Sequence, residues 1–140
     1  MTEMRKDYVL KVSEEALDNG NPTIRLSPEE LLDISINCLD DNKAVDITTL
    51  DLKGKTSITD YMVVATGTSK RQVAALADYL SRELKKNGCS TPIIEGLEQA
   101  DWVLLDVGDI IIHIFRPEVR TFYNIEKIWS VELDEDTKSH

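Results

Sequence analysis

Two hydrophobic periods alternate along the chain from Ser27 to Ser130. From Leu31 to Leu39 apolar residues recur at helical spacing, with Leu32, Ile36 and Leu39 on one stripe and Leu31, Ser35 and Cys38 alongside. Ahead of them Ser27-Pro28-Glu29-Glu30 is a capping box with proline at the first helical position and acids at the positive end of the helix dipole. This predicts a first helix that Asp40-Asp41-Asn42 ends. Val45 to Leu50 then alternates and is β-branched, which predicts a strand. Lys53-Gly54-Lys55 turns the chain, and Tyr61 to Thr66 is almost wholly apolar, the pattern of a strand covered on both faces.

The helical period returns after Gly67-Thr68-Ser69. Ser69 is the expected cap, Gln72 sits three residues on, and Val73, Leu76, Ala77, Leu80 and Leu84 form a core-facing stripe. Lys85 and Lys86 suit the negative end of the dipole, and Asn87-Gly88 stops the helix. Three short strands are predicted next, over 91–95, 102–106 and 110–115. Only Val107-Gly108-Asp109 separates the last two, which predicts an antiparallel hairpin. Pro117 opens a final helix to about Trp129, whose expected core face is Phe122, Ile125 and Trp129. The order helix, two strands, helix, three strands, helix predicts the α/β (α+β) class: a five-stranded mixed sheet with flanking helices.

Charge divides the chain into three zones. Residues 1–26 hold five acids and four bases with little periodicity, and residues 131–140 hold four acids and one base. Both ends are expected to be flexible, as an N-terminal extension and an acidic tail around one domain over 27–130. Over all 140 residues, 26 acids against 16 bases give a net charge of −10. Phosphates repel such a surface, so a general nucleic-acid or anionic-membrane binder is disfavoured, whereas a basic protein partner suits it. The first 20 residues carry no apolar run of a secretory signal, and no stretch approaches the length of a membrane span. With two cysteines, both taken as ordinary thiols, the expectation is a soluble cytoplasmic protein.

Each feature that could carry chemistry has a plainer role. Asp106-Val107-Gly108-Asp109 could offer oxygens to Mg²⁺ or Ca²⁺, but Asp and Gly are also what a tight turn needs. His113 alternates with apolar neighbours, and the only other histidine is His140, so it is read as a core or sheet residue with one hydrogen bond. Gly67-Thr68-Ser69 between strand and helix invites a phosphate-loop reading, yet no Gly-Lys-Ser/Thr follows. It also resembles the entry to a nucleotidyltransferase site, but the paired carboxylates that would hold two metals are missing. The next acid is Asp78, inside a helix. No cofactor or metal is therefore expected. Residues 69–87 carry five bases and two acids, read as the solvated face of an amphipathic helix with little direct RNA contact.

The last helix holds the most informative pattern. Arg120, Tyr123 and Lys127 recur at i, i+3, i+7, opposite the expected core stripe, so they form a candidate contact face. Trp102 follows the acidic loop 95–101 at the start of a strand. From pattern alone, Trp102 and Tyr123 fit a core or an interface equally well.

Several blocks together resemble the ribosomal silencing factor (RsfS/Iojap) family. They are Lys53-Gly54-Lys55-Thr56-Ser57-Ile58-Thr59-Asp60-Tyr61, Ala65-Thr66-Gly67-Thr68-Ser69-Lys70-Arg71, Glu95-Gly96, Ala100 to Asp106, and Gly108 to His113, with Arg120, Tyr123 and Ile125 to Trp129. They agree in order and spacing over about residues 31–130. The resemblance implies a nucleotidyltransferase-like fold without the catalytic carboxylates and a translation regulator that is not an enzyme. It implies binding to protein number fourteen of the large ribosomal subunit, blocking its joining to the small subunit when nutrients are scarce. Trp102 and Tyr123 fall on positions associated with that contact, which tips both toward the interface; Arg120 falls on a basic position near it, and Lys127 shares the expected face. The resemblance leaves a homodimer open. A degenerate or unrecognised nucleotidyl- or phosphate-handling enzyme is the alternative.

Overall fold

The computed structural model describes residues 26–129. The expectations for residues 1–25 and for the acidic tail lie outside the described residues. Leu26, assigned to the extension, packs on the main core.

Helix α1 (Pro28–Asp41) is capped as its sequence predicts: the Glu30 N–H donates to Ser27 Oγ at 3.1 Å and the Ser27 N–H to Glu30 Oε1 at 2.9 Å. Its buried face is Leu31, Ile34, Ser35, Cys38 and Leu39, while Leu32 and Ile36 are only half-buried, so the stripe is rotated from the expected one. Ser35 can lie inside because its hydroxyl donates to the Leu31 carbonyl at 2.8 Å, which leaves no polar group unpaired.

Strands β1 (Val45–Asp51), β2 (Tyr61–Thr66), β3 (Ile93–Glu95), β4 (Trp102–Asp106) and β5 (Ile110–Phe115) form one mixed sheet in the order β1-β2-β5-β4-β3. Only β2 and β5 run parallel; the other neighbours are antiparallel. β1 is an edge strand whose pairing slips between Val45 and Thr48, where Asp46 takes a φ of 50°. β3 is two residues shorter than expected. The hairpin β4–β5 turns at Gly108, with a φ of 89°, and the Gly108 N–H donates to Asp106 Oδ1 at 2.9 Å. Asp106 is thus a turn residue.

Helix α2 (Lys70–Lys86) buries the stripe its sequence predicts and packs with α1 on one face of the sheet, against Val63, Ala65, Val103, Leu105, Ile110, Ile112 and Ile114. A second, smaller core lies on the opposite face, where Leu52, Met62, Val64 and Phe115 meet the half-buried Trp102, Val119, Ile125 and Trp129. β2 and β5 are buried on both faces, which accounts for their unbroken apolar runs.

The last helix differs from its expectation. α3 (Pro117–Tyr123) ends at Asn124, which adopts the left-handed conformation (φ 46°, ψ 49°), and residues 125–129 form a separate helical turn. Asparagine tolerates that conformation better than most residues, so it ends a helix inside a pattern that reads as continuous. The break re-aims the chain beyond it. Ile125 and Trp129 pack on the second core, but Phe122, expected in the core, is 80% exposed.

Candidate functional site

The start of α2 is occupied by the protein's own groups. Gln72 Oε1 accepts from the Thr68 N–H at 2.6 Å and from Thr68 Oγ1 at 2.8 Å. Ser69 Oγ accepts from the Gln72 N–H at 3.1 Å. A phosphate would have to displace the Gln72 side chain, which is also tied to the Lys43 carbonyl at 3.1 Å. The thiols are not poised as nucleophiles either: Cys38 is buried, and burial pushes the Cys89 thiol up to about 11.

Beside that loop, Arg120 reaches from α3 across the edge of the sheet. Its Nε and one terminal nitrogen donate to Glu126 Oε1 and Oε2 at 2.8 and 3.0 Å. The guanidinium also donates to the Asp46 carbonyl and to Thr66 Oγ1, both at 2.7 Å, and to Thr48 Oγ1 at 3.2 Å. Five donor contacts occupy its fork, so Arg120 fastens α3 and the turn after it to β1 and β2. It lines a groove with Asp46, Thr66 and Thr68.

Tyr123 lies on the other side of α3, in a shallow groove with Gly96, Glu98, Gln99, Asp101, Trp102 and Val119. Arg120 and Tyr123 therefore do not share one face. Lys127 is exposed on the turn beyond Asn124, and the break removes the helical register that would have aligned it with either. Of the four expected contact residues, the structure brings together only Trp102 and Tyr123, with ring centroids 5.0 Å apart.

Strand register builds the rest of the surface. Trp102 pairs across the hairpin with Phe115, and Leu104 with His113. Side chains alternate, so Trp102, Leu104, His113 and Phe115 project to the face opposite α1 and α2. The Trp102 ring stacks on Phe115 at 4.9 Å and 26°, and its Nε1–H donates to His113 Nδ1 at 2.9 Å. His113 is buried, which pushes its imidazole down to about 4, and its bond to Trp102 agrees with the sheet role expected for it. Phe122, 80% exposed, meets Tyr123 edge-on at 5.1 Å and extends the aromatic surface outward. Its assignment to the core hid it in the sequence; the signal available was Asn124, a helix-ending residue just beyond it.

Acids border the aromatics. Glu98 is exposed and lines the groove, and the exposed Glu95 stands on β3 opposite Leu104. Asp101 is held by Arg116, whose Nε donates to Oδ1 at 2.6 Å, and Lys70 stands 3.7 Å away. The Arg116 hydrogen bond draws the Asp101 carboxyl below the usual carboxylate range. The arrangement is a part-exposed aromatic cluster with a carboxylate rim. It suits a protein surface that offers apolar groups and cations, and it holds no nucleophile–base pair.

The family described as ribosomal silencing factor during starvation matches residues 25–140, a longer span at both ends than the resemblance read from the blocks. The chain is 53% identical over 109 residues to a ribosomal silencing factor of Zymomonas mobilis, covering 78% of this chain and 82% of that one. It is 34% identical over 108 residues to the mouse protein named mitochondrial assembly of ribosomal large subunit protein 1, covering 75% of this chain and 47% of that one. A crystal structure of a protein from Chromobacterium violaceum superposes with a TM-score of 0.72 at 40% identity, covering 75% of this chain and 88% of that one.

Proposed function

The chain belongs to the ribosomal silencing factor family, and from that premise we propose that it binds the large ribosomal subunit and keeps it from joining the small one. The partner in this proposal is protein number fourteen of the large subunit, and the setting is nutrient limitation in the cytoplasm. Blocking is steric: a domain seated on the joining surface needs no reaction, so the protein acts as a regulator and not as an enzyme. The name of the mouse relative, which ties that protein to large-subunit assembly, supports the choice of subunit.

The observation that carries the reading is the Trp102–Tyr123 pair, part-exposed and bordered by Glu98 and Asp101. Exposed aromatics are the usual anchors of protein interfaces. A net charge of −10 keeps the surface away from rRNA and speeds encounter with a basic ribosomal protein.

Light scattering during association of purified subunits tests the proposal. Excess protein should lower the joined fraction, and the protein should sediment with isolated large subunits. An unchanged joined fraction at saturating occupancy would overturn it.

A further inference from the structure

An exposed tryptophan is an effective anchor only if its ring already points where the partner needs it, because ordering a free side chain on binding costs free energy. Trp102 is held from three sides. Phe115 stacks beneath the ring, Tyr123 leans on it from α3, and His113 takes its one polar atom. The two ring contacts, one stacked at 26° and one tilted at 43°, fix the plane of the indole and leave it free to turn over within that plane. The hydrogen bond is directional and removes this freedom.

His113 is suited to the task. An indole N–H can only donate, so His113 Nδ1 is an acceptor and carries no proton. The imidazole lies beside Phe115 with ring centroids 5.9 Å apart and planes 17° apart, and only 6% of the residue is exposed. Its strand position is one pair removed from the Trp102–Phe115 pair, the diagonal relation in which long side chains on one face touch. A buried polar group on an apolar strand needs a partner, and here that partner is the surface residue the proposed function depends on.

We infer that His113 is a positioning residue for partner binding: its Nδ1 locks the Trp102 indole in the orientation that meets the partner. This rests on the reading of Trp102 as an anchor.

The full-length protein with His113→Leu tests it, with His113→Asn as the conservative variant whose amide oxygen can stand near the Nδ1 position. The readouts are sedimentation with isolated large subunits and the Trp102 indole N–H proton resonance, distinguished from that of Trp129 by Trp102→Phe. His113→Leu should shift that resonance, speed its exchange with solvent and weaken binding about tenfold or more. His113→Asn should restore the resonance and bring binding to within about threefold of the unaltered protein. Equal loss in both variants, or full binding by His113→Leu once the resonance has moved, overturns the inference. The unaltered chain supplies a readout that needs no variant to fold: free in solution, its Trp102 N–H should exchange more slowly than a solvated indole, and exchange at the solvated rate overturns the inference. Trp102→Ala separates the two levels. Normal binding by Trp102→Ala removes the anchor reading itself, whereas weakened binding by Trp102→Ala with unaffected binding by His113→Leu removes only the role of His113.

Discussion

Arg120 and Glu126 form a two-bond ion pair across the left-handed Asn124, joining the helix before the break to the turn after it. The same guanidinium grips the Asp46 carbonyl at the bulge of β1. Two irregular features, one at a sheet edge and one at a helix end, are thus stitched together by a single side chain.

Arg120→Ala should therefore act on stability. It leaves Glu126, about a quarter exposed, and three oxygens without their donor. The expected loss is about 2–3 kcal/mol, below the range for a fully buried pair because water reaches the carboxylate. That corresponds to a fall in melting temperature on the order of 10 °C. Arg120→Lys, which cannot fork, should recover little of it. Calorimetry of the three proteins checks this; a melting temperature unchanged in Arg120→Ala would show that the network contributes nothing.

Tyr123 and Trp102 should respond differently to truncation. Tyr123 is 47% exposed, so Tyr123→Ala should cost roughly 2–4 kcal/mol of binding and little stability. Trp102 also packs on the second core through Phe115, so Trp102→Ala should cost both binding and stability. Paired measurements of affinity and thermal midpoint separate the two. A Tyr123→Ala variant that binds normally would take Tyr123 out of the interface.

His113 makes stability depend on pH. Burial holds its folded pKa near 4, against an ordinary value of 6.5. Between these values the unfolded chain binds a proton that the folded one refuses, so stability rises with pH across that window. The contribution is fully present above about pH 6.5 and is lost as pH falls toward 4, by up to about 3 kcal/mol. Denaturant titrations at pH 7, 5.5 and 4.5 should show a decline that His113→Asn reduces. An equal decline in both proteins would assign the effect to other groups.

How far the sequence carries can be seen at these same residues. Ser27, Ser69 and the stripe from Val73 to Leu84 are local signals, and local hydrogen bonds and periodicity placed α1, α2 and four of the five strands well. The hairpin register was also within reach. A two-residue turn that pairs Val107 with Ile110 brings Trp102 opposite Phe115, and His113 then falls diagonal to the indole. Arg120 was not legible, because its partners Asp46, Thr48 and Thr66 lie 54 to 74 residues away and are chosen by tertiary packing. Asn124 makes the difference at the last helix: a 3.6-residue period continued through it places Phe122 in the core and Lys127 beside Tyr123, whereas its left-handed backbone breaks that period.

The N-terminal segment offers a test of the domain limits. The family match begins at residue 25 and Leu26 packs on the core, so removal of residues 1–24 should leave large-subunit binding within a few-fold. A loss beyond about tenfold, or 1.4 kcal/mol, would mean that the removed residues make contacts of their own.

Gly96 sits under the aromatic groove at the crossing from β3 to β4. Its φ is +85°, a region costly to any residue with a β-carbon. A methyl group there would stand 2.2 Å from the Trp102 carbonyl oxygen, which is backbone and cannot swing aside. The Gly96 carbonyl also accepts from the Ala100 N–H at 2.9 Å, closing the acidic loop that borders the site. Gly96→Ala must therefore either strain this loop or push Trp102 away from Phe115 and His113. We expect a stability loss of more than about 2 kcal/mol together with weakened binding. Gly54→Ala is the control: its φ is also positive, at +76°, but nothing lies within 4 Å of the added carbon. It should cost about 1 kcal/mol and leave binding unchanged. If Gly96→Ala and Gly54→Ala lose the same stability and bind alike, the close approach to Trp102 does not shape the site.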